Sequence, residues 1–100
     1  MKLVIEFDCN ADIIDVPLSV VEKKEHLKKR FLQWIYNKKN KHKYWISGYD
    51  TNGKKYQYLR YRSDAFVEWL NSKVLKNGEQ AIILEEYTSD YSDDLPVIFF

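Results

Sequence analysis

Asn52-Gly53 lies between two runs of β-forming residues, Lys43–Tyr49 and Lys54–Arg62. That dipeptide is the sharpest short-range mark of a hairpin, because tight hairpin turns need residues that tolerate a left-handed backbone. Two registers fit. With Asn52-Gly53 as a two-residue turn, Tyr49 faces Tyr56, Ser47 faces Tyr58 and Trp45 faces Arg60, and the opposite face collects Tyr44, Ile46, Leu59 and Tyr61. With Thr51-Asn52-Gly53 as a three-residue bulged turn, Ile46 faces Tyr58 and Trp45 faces Leu59. A one-residue slip exchanges the faces. The first register sorts a core better and is the one expected.

Around this hairpin the hydrophobic period changes repeatedly. Leu3, Ile5 and Phe7 alternate, as in a strand with one buried face. A polar stretch follows, up to Val16-Pro17. Ser19-Val20-Val21-Glu22 has the form of a capping box, and Val20, Leu27, Phe31, Trp34 and Ile35 keep helical spacing to about Lys38. Ser63-Asp64 opens a second helical stripe, Phe66, Trp69, Leu70 and Val74, and Asn77-Gly78 ends it. Gln80–Glu86, with Ala-Ile-Ile-Leu at its centre, reads as an interior strand, and Pro96–Phe100 as a last short one. The expected fold is α+β, in the order β-α-β-β-α-β-β. Its first six elements match a ferredoxin-like split βαβ sheet with two helices on one face. One hundred residues, 45% of them hydrophobic, suit a single domain over 1–100.

One strand resembles a known motif. Lys54-Lys55-Tyr56-Gln57-Tyr58-Leu59-Arg60-Tyr61 is similar to the RNP1 strand of RNA-recognition-motif domains, where a basic residue precedes alternating aromatics. The resemblance implies that Tyr56 and Tyr58 stack on bases while Leu59 and Tyr61 enter the core. Lys55 and Gln57 stand where that motif has small residues, and Val4 stands where the family's second motif has an aromatic. Apart from the family, Lys43, Trp45, Tyr49, Lys54, Tyr56, Tyr58, Arg60 and Arg62 combine rings that stack on bases with cations that neutralise phosphates.

The net charge of +1 hides a strong segregation. Residues 1–22 carry a net −4, residues 23–62 a net +11 with thirteen of the sixteen Lys and Arg, and residues 63–100 a net −6. Either the acidic ends cover the basic middle, or both stand open as fields that steer partners of opposite sign. The densest acidic stretch contains Glu85, Glu86, Tyr87, Asp90, Tyr91, Asp93 and Asp94. Carboxylates so spaced imitate phosphates, and tyrosines supply apolar contact at an interface.

The motifs of catalysis are missing from the pattern. His26 and His42 have no zinc spacing around them, and Gly48, Gly53 and Gly78 are isolated. Cys9, directly after a strand, reads as a small buried side chain. A lone cysteine forms no internal disulfide, which suits a reducing cytoplasm. No apolar run approaches the roughly 18–20 residues of a membrane span, and the N-terminus lacks a secretory signal. The expectation is a cytoplasmic binding protein without catalytic residues, metal or cofactor. Its partner would be a nuclease or other nucleic-acid enzyme, blocked in the manner of an immunity or anti-defence (anti-CRISPR-like) inhibitor through the acidic segment. The alternative is a single-stranded nucleic-acid module using the basic, aromatic hairpin.

Overall fold

Two β-systems and one helical layer make up the protein, described over all 100 residues by a computed structural model. In chain order the elements are β1 (Lys2–Glu6), β2 (Ala11–Asp15), α1 (Leu18–Glu22), α2 (Lys24–Ile35), β3 (Trp45–Tyr49), β4 (Lys55–Leu59), α3 (Ser63–Trp69), a π-helical turn (Leu70–Val74), β5 (Ile82–Thr88) and β6 (Val97–Phe99). The main sheet has the order β5-β2-β1-β6, with β6 parallel to β1 and the other pairs antiparallel. β3 and β4 pair only with each other. The class is therefore α+β, with a topology that departs from the ferredoxin-like order.

The departure starts at the stretch that looks polar in sequence. Ala11-Asp12-Ile13-Ile14-Asp15 is a strand paired to β1 along its whole length, from Lys2 opposite Asp15 to Glu6 opposite Ala11. It takes the central place that the β3–β4 hairpin would have filled. Ile14 and Val16 join Leu3, Ile5 and Ile98 under the helices, while Ala11 and Ile13 join Val4 on the other face beneath Tyr91, Leu95 and Val97. Both faces of the central strands β1 and β2 are thus covered. β5 consequently lies at an edge instead of in the interior, and its Ile82 and Leu84 are exposed.

The helical layer also differs from its sequence pattern. The Ser19–Glu22 capping box is not used, since α1 begins at Leu18 after Pro17 with no side-chain cap. Lys23, at φ −112° and ψ 20°, divides the expected long helix in two. Phe31 of α2 is fully buried at the centre of the core and meets the rings of Trp34, Tyr61, Phe66, Trp69 and Phe100 at centroid distances of 5.3–6.1 Å. Most of these contacts are edge-to-face, the arrangement favoured by ring quadrupoles. α3 and its π-helical turn end before Asn77-Gly78: Leu75 caps them with an extended backbone (φ −79°, ψ 142°). Asn77 and Gly78, both with positive φ, form the turn that follows instead of the helix end their sequence predicts.

The hairpin adopts the bulged register, with Trp45 opposite Leu59 and Ile46 opposite Tyr58. The cause is Asp50: its carboxylate accepts the backbone N–H groups of Asn52 and Lys54, at 2.9 and 2.8 Å. Its carbonyl accepts from Gly53 N–H, and φ of +78° at Gly53 completes a three-residue loop. The side chain at position 50 outweighs the two-residue preference of Asn-Gly.

Truncating the ring at the centre of the aromatic cluster should open a cavity. Phe31→Ala is expected to lower stability by about 3–5 kcal/mol, measured by urea unfolding, and a loss below about 1 kcal/mol would contradict the central place given to this ring.

Candidate functional site

Asp12 organises the ground on which the candidate site stands. Its side chain is 1% exposed, and both carboxylate oxygens are occupied. Oδ1 accepts from Arg62 Nη2 at 2.8 Å and from the Tyr87 backbone N–H at 3.0 Å. Oδ2 accepts from Ser63 Oγ at 2.6 Å and from the Ser63 backbone N–H at 3.3 Å. Burial pushes the Asp12 pKa up, but the bonds from Arg62, Ser63 and Tyr87 outweigh it and hold the carboxyl below its ordinary range. The cap of α3, expected from Ser63 and Asp64 alone, is thus completed by a residue 51 positions earlier.

Arg62 is fixed as firmly. Its guanidinium lies 4.5 Å from the Phe7 ring centroid and 4.2 Å from that of Tyr87, and Nη2 also donates to Asn10 Oδ1 at 2.7 Å. Tyr87 has φ of +57°, a rare left-handed conformation for a tyrosine, where the β2–β5 register shifts. The bond from its N–H to Asp12 and the stack on Arg62 hold it there. Arg62, expected as a phosphate contact, is therefore committed to the fold. A cleft of about 260 Å³ opens beside it between Arg60, Asp64 and Glu86.

The acidic segment continues from this point. Glu85 and Glu86 are exposed on β5, and Asp90, Asp93 and Asp94 are exposed on the loop that follows. None of the five carboxylates forms an ion pair; the four ion pairs of the protein join Met1 to Asp15, Lys24 to Glu25, Lys43 to Glu68 and Arg62 to Asp12. The acidic ends therefore leave most of the basic middle uncovered. Tyr91 anchors the loop: its hydroxyl donates to Glu6 at 2.6 Å, which raises its pKa, and its ring packs on the Val4–Ile13 face. Tyr87 stays 62% exposed, with one ring face spent on Arg62. Asp90 and Asp93 share a cleft of about 410 Å³ with Glu6, Asp8 and Cys9. Cys9, expected to be buried, is exposed here because it sits in the turn between β1 and β2.

The hairpin separates residues that its sequence groups together. Tyr56 and Tyr58 stand side by side on one face, 5.8 Å between centroids, with Tyr56 lying over Gly48. A Cβ at position 48 would sit 2.9 Å from Tyr56 Cζ, so the glycine admits the ring. Trp45 and Tyr49 alternate onto the other face, where Trp45 stacks on His42 at 5.9 Å and 7°. Lys43 is paired with Glu68 at 3.3 Å, and the Tyr44 hydroxyl donates to the same carboxylate. Burial first, and then Glu68, raise the Tyr44 pKa. Of the expected nucleic-acid contacts, Tyr56, Tyr58 and Arg60 share a face, with Lys54 at the turn. Leu59 and Tyr61 pack on the main core, as the RNA-recognition-motif likeness implies, but the strand lies outside the main sheet.

Sequence inspection missed Phe7, Asn10 and Asp12, which hold Arg62, and Glu6, which holds Tyr91. No local spacing marks them, since each acts across 50 residues or more. No family model, no curated protein and no solved structure matches this chain.

Because Asp12 has a lowered pKa when folded, the stability it contributes is complete above its ordinary value of 3.8 and is lost as pH falls below that toward the folded value. Thermal melts from about pH 6 to pH 2 should show a steeper acid loss for the wild type than for Asp12→Asn. Arg62→Met, which leaves Asp12 buried without its cation, is expected to destabilise by about 3–5 kcal/mol in urea.

Proposed function

We propose that the protein acts by binding, and that its acidic segment docks on a nucleic-acid-handling enzyme and blocks it. The observation that carries this reading is a set of five carboxylates, Glu85, Glu86, Asp90, Asp93 and Asp94, that have no internal cation and lie on a segment tethered at both Tyr87 and Tyr91. A tethered array of this kind loses little conformational entropy on docking, and its charge is already free of competing partners. A phosphate-binding groove on an enzyme is the complementary surface. Tyr87 supplies an exposed ring at the start of the array, while Tyr91 serves as its anchor. Such a protein fits the immunity or anti-defence class, working inside the cytoplasm without cofactor or turnover.

Asp90→Asn, Asp93→Asn and Asp94→Asn together change charge without changing shape at exposed positions. In an inhibition assay against a panel of nucleases and nucleic-acid-guided enzymes, the wild type should inhibit a member. The triple variant should lose at least about tenfold in potency with an unchanged circular dichroism spectrum. Undiminished inhibition by the triple variant would rule out phosphate mimicry by this loop.

A further inference from the structure

Two clefts adjoin at the C-terminal end of α2, and neither is lined by a carboxylate. The first, of about 480 Å³, includes Arg30, Trp34, Trp69 and Lys73. The second, of about 370 Å³, includes Lys38, Lys41, Trp45 and Gln57. Asn40 lines both. A column of rings links them, with Trp34 of the first cleft 4.8 Å from His42 of the second, and His42 5.9 Å from Trp45.

This arrangement follows from how α2 ends. The last carbonyls of a helix are the negative end of its dipole and would ordinarily hold nearby cations. Here they are satisfied by side chains that carry no formal positive charge in their bonded form. Asn40 Nδ2 donates to the Trp34 carbonyl at 2.9 Å, and His42 Nε2 lies 2.9 Å from the Ile35 carbonyl. His42 Nδ1 accepts from the Tyr44 backbone N–H, which assigns the ring proton to Nε2. The loop is thereby folded back over Trp34, and its lysines are left for other work. Arg30, Lys38, Lys41 and Lys73 take part in no ion pair. Trp45 Nε1, in the wall of the second cleft, is a buried donor with no acceptor in the protein.

We infer that these joined clefts form a binding track for single-stranded nucleic acid, with Arg30, Lys73, Lys38 and Lys41 on the phosphates and the Trp34–His42–Trp45 column beside the bases. A small anion needs one cationic pocket. A row of cations on both sides of aromatic rings matches instead the alternation of phosphates and unpaired bases. The track is independent of the acidic docking segment. It also lies on the face of the hairpin opposite Tyr56 and Tyr58, since Trp45 and Gln57 alternate with those residues.

The test uses the full chain and a labelled oligonucleotide of about twelve nucleotides, oligo(dT) and oligo(U), read by anisotropy at several salt concentrations and by intrinsic fluorescence. The chain has three tryptophans, Trp34, Trp45 and Trp69, and all line the clefts, so binding should quench the emission directly. Lys38→Glu with Lys41→Glu, both at exposed positions, should weaken binding by at least about tenfold at low salt. The same pair should flatten the dependence of log K on log salt by about 0.7 for each phosphate that is no longer neutralised. Tyr56→Ala with Tyr58→Ala should bind like the wild type.

No binding at low salt would overturn the inference, as would full affinity in the Lys38/Lys41 variant. Loss of binding in the Tyr56/Tyr58 variant alone would transfer the site to the other hairpin face and overturn it too. Equal competition by inorganic polyphosphate of matched charge would show that the rings take no part and would remove the assignment to nucleic acid. None of these results depends on whether the acidic loop inhibits an enzyme.

Discussion

The Asp12 carboxylate is the point on which the rest of the structure depends. A charge with 1% exposure is tolerated only when its lone pairs are filled, and Asp12 fills them from three separate parts of the chain. Arg62 brings the end of the hairpin segment, Ser63 brings the first residue of α3, and Tyr87 brings the irregular end of β5. The same contacts press Arg62 between two rings and hold Tyr87 left-handed. One buried carboxylate thus sets where a helix starts, where a strand bends and where the acidic segment leaves the sheet. Removing either partner of the Asp12–Arg62 pair would leave the other charge poorly compensated, so the acidic loop and α3 are coupled through it.

Charge segregation along the chain survives folding because the short ion pairs form elsewhere. Met1, Lys24, Lys43 and Arg62 take the paired carboxylates, which leaves the acidic loop and the basic surface of α2 and its following loop each without a partner from the other. Unpaired fields of both signs on one small protein suit recognition better than stability, since exposed charges contribute little to folding but strongly to encounter. The acidic loop is anchored through Tyr91, and the basic clefts are shaped by Asn40 and His42. In both cases a polar side chain satisfies a backbone or carboxylate group and leaves the neighbouring charges free.

Local pattern read most elements correctly where the signal was periodic. Leu3-Val4-Ile5 is a strand, the Leu27–Phe31–Ile35 stripe is the buried side of a helix, and Asn77-Gly78 is a left-handed turn, although it lies beyond the helix end at Leu75. Two errors had physical causes that lie outside any local window. β2 was obscured by Asp12 and Asp15, whose charges mimic a loop until Arg62, Ser63 and the N-terminal ammonium group are seen to meet them. The hairpin register turned on Asp50, whose carboxylate satisfies two backbone N–H groups that the shorter turn would leave differently placed. Once β2 occupied the middle of the sheet, the hairpin was displaced from it and β5 became an edge. The candidate acidic segment was legible as composition, whereas its supports at Glu6 and Asp12 were not, because each acts across 75 residues or more.

By itself, the sequence determined the α+β class, the hairpin at the middle, the amphipathic helices and the separation of charge, because these follow from periodicity, turn chemistry and counting within short windows. Tertiary structure alone decided the strand order, the hairpin's exclusion from the main sheet, the commitment of Arg62 to the fold and the meeting of three tryptophans around two carboxylate-free clefts. Those outcomes depend on which distant polar group satisfies which, and the energy of burying a carboxylate is settled only when all of its partners have arrived.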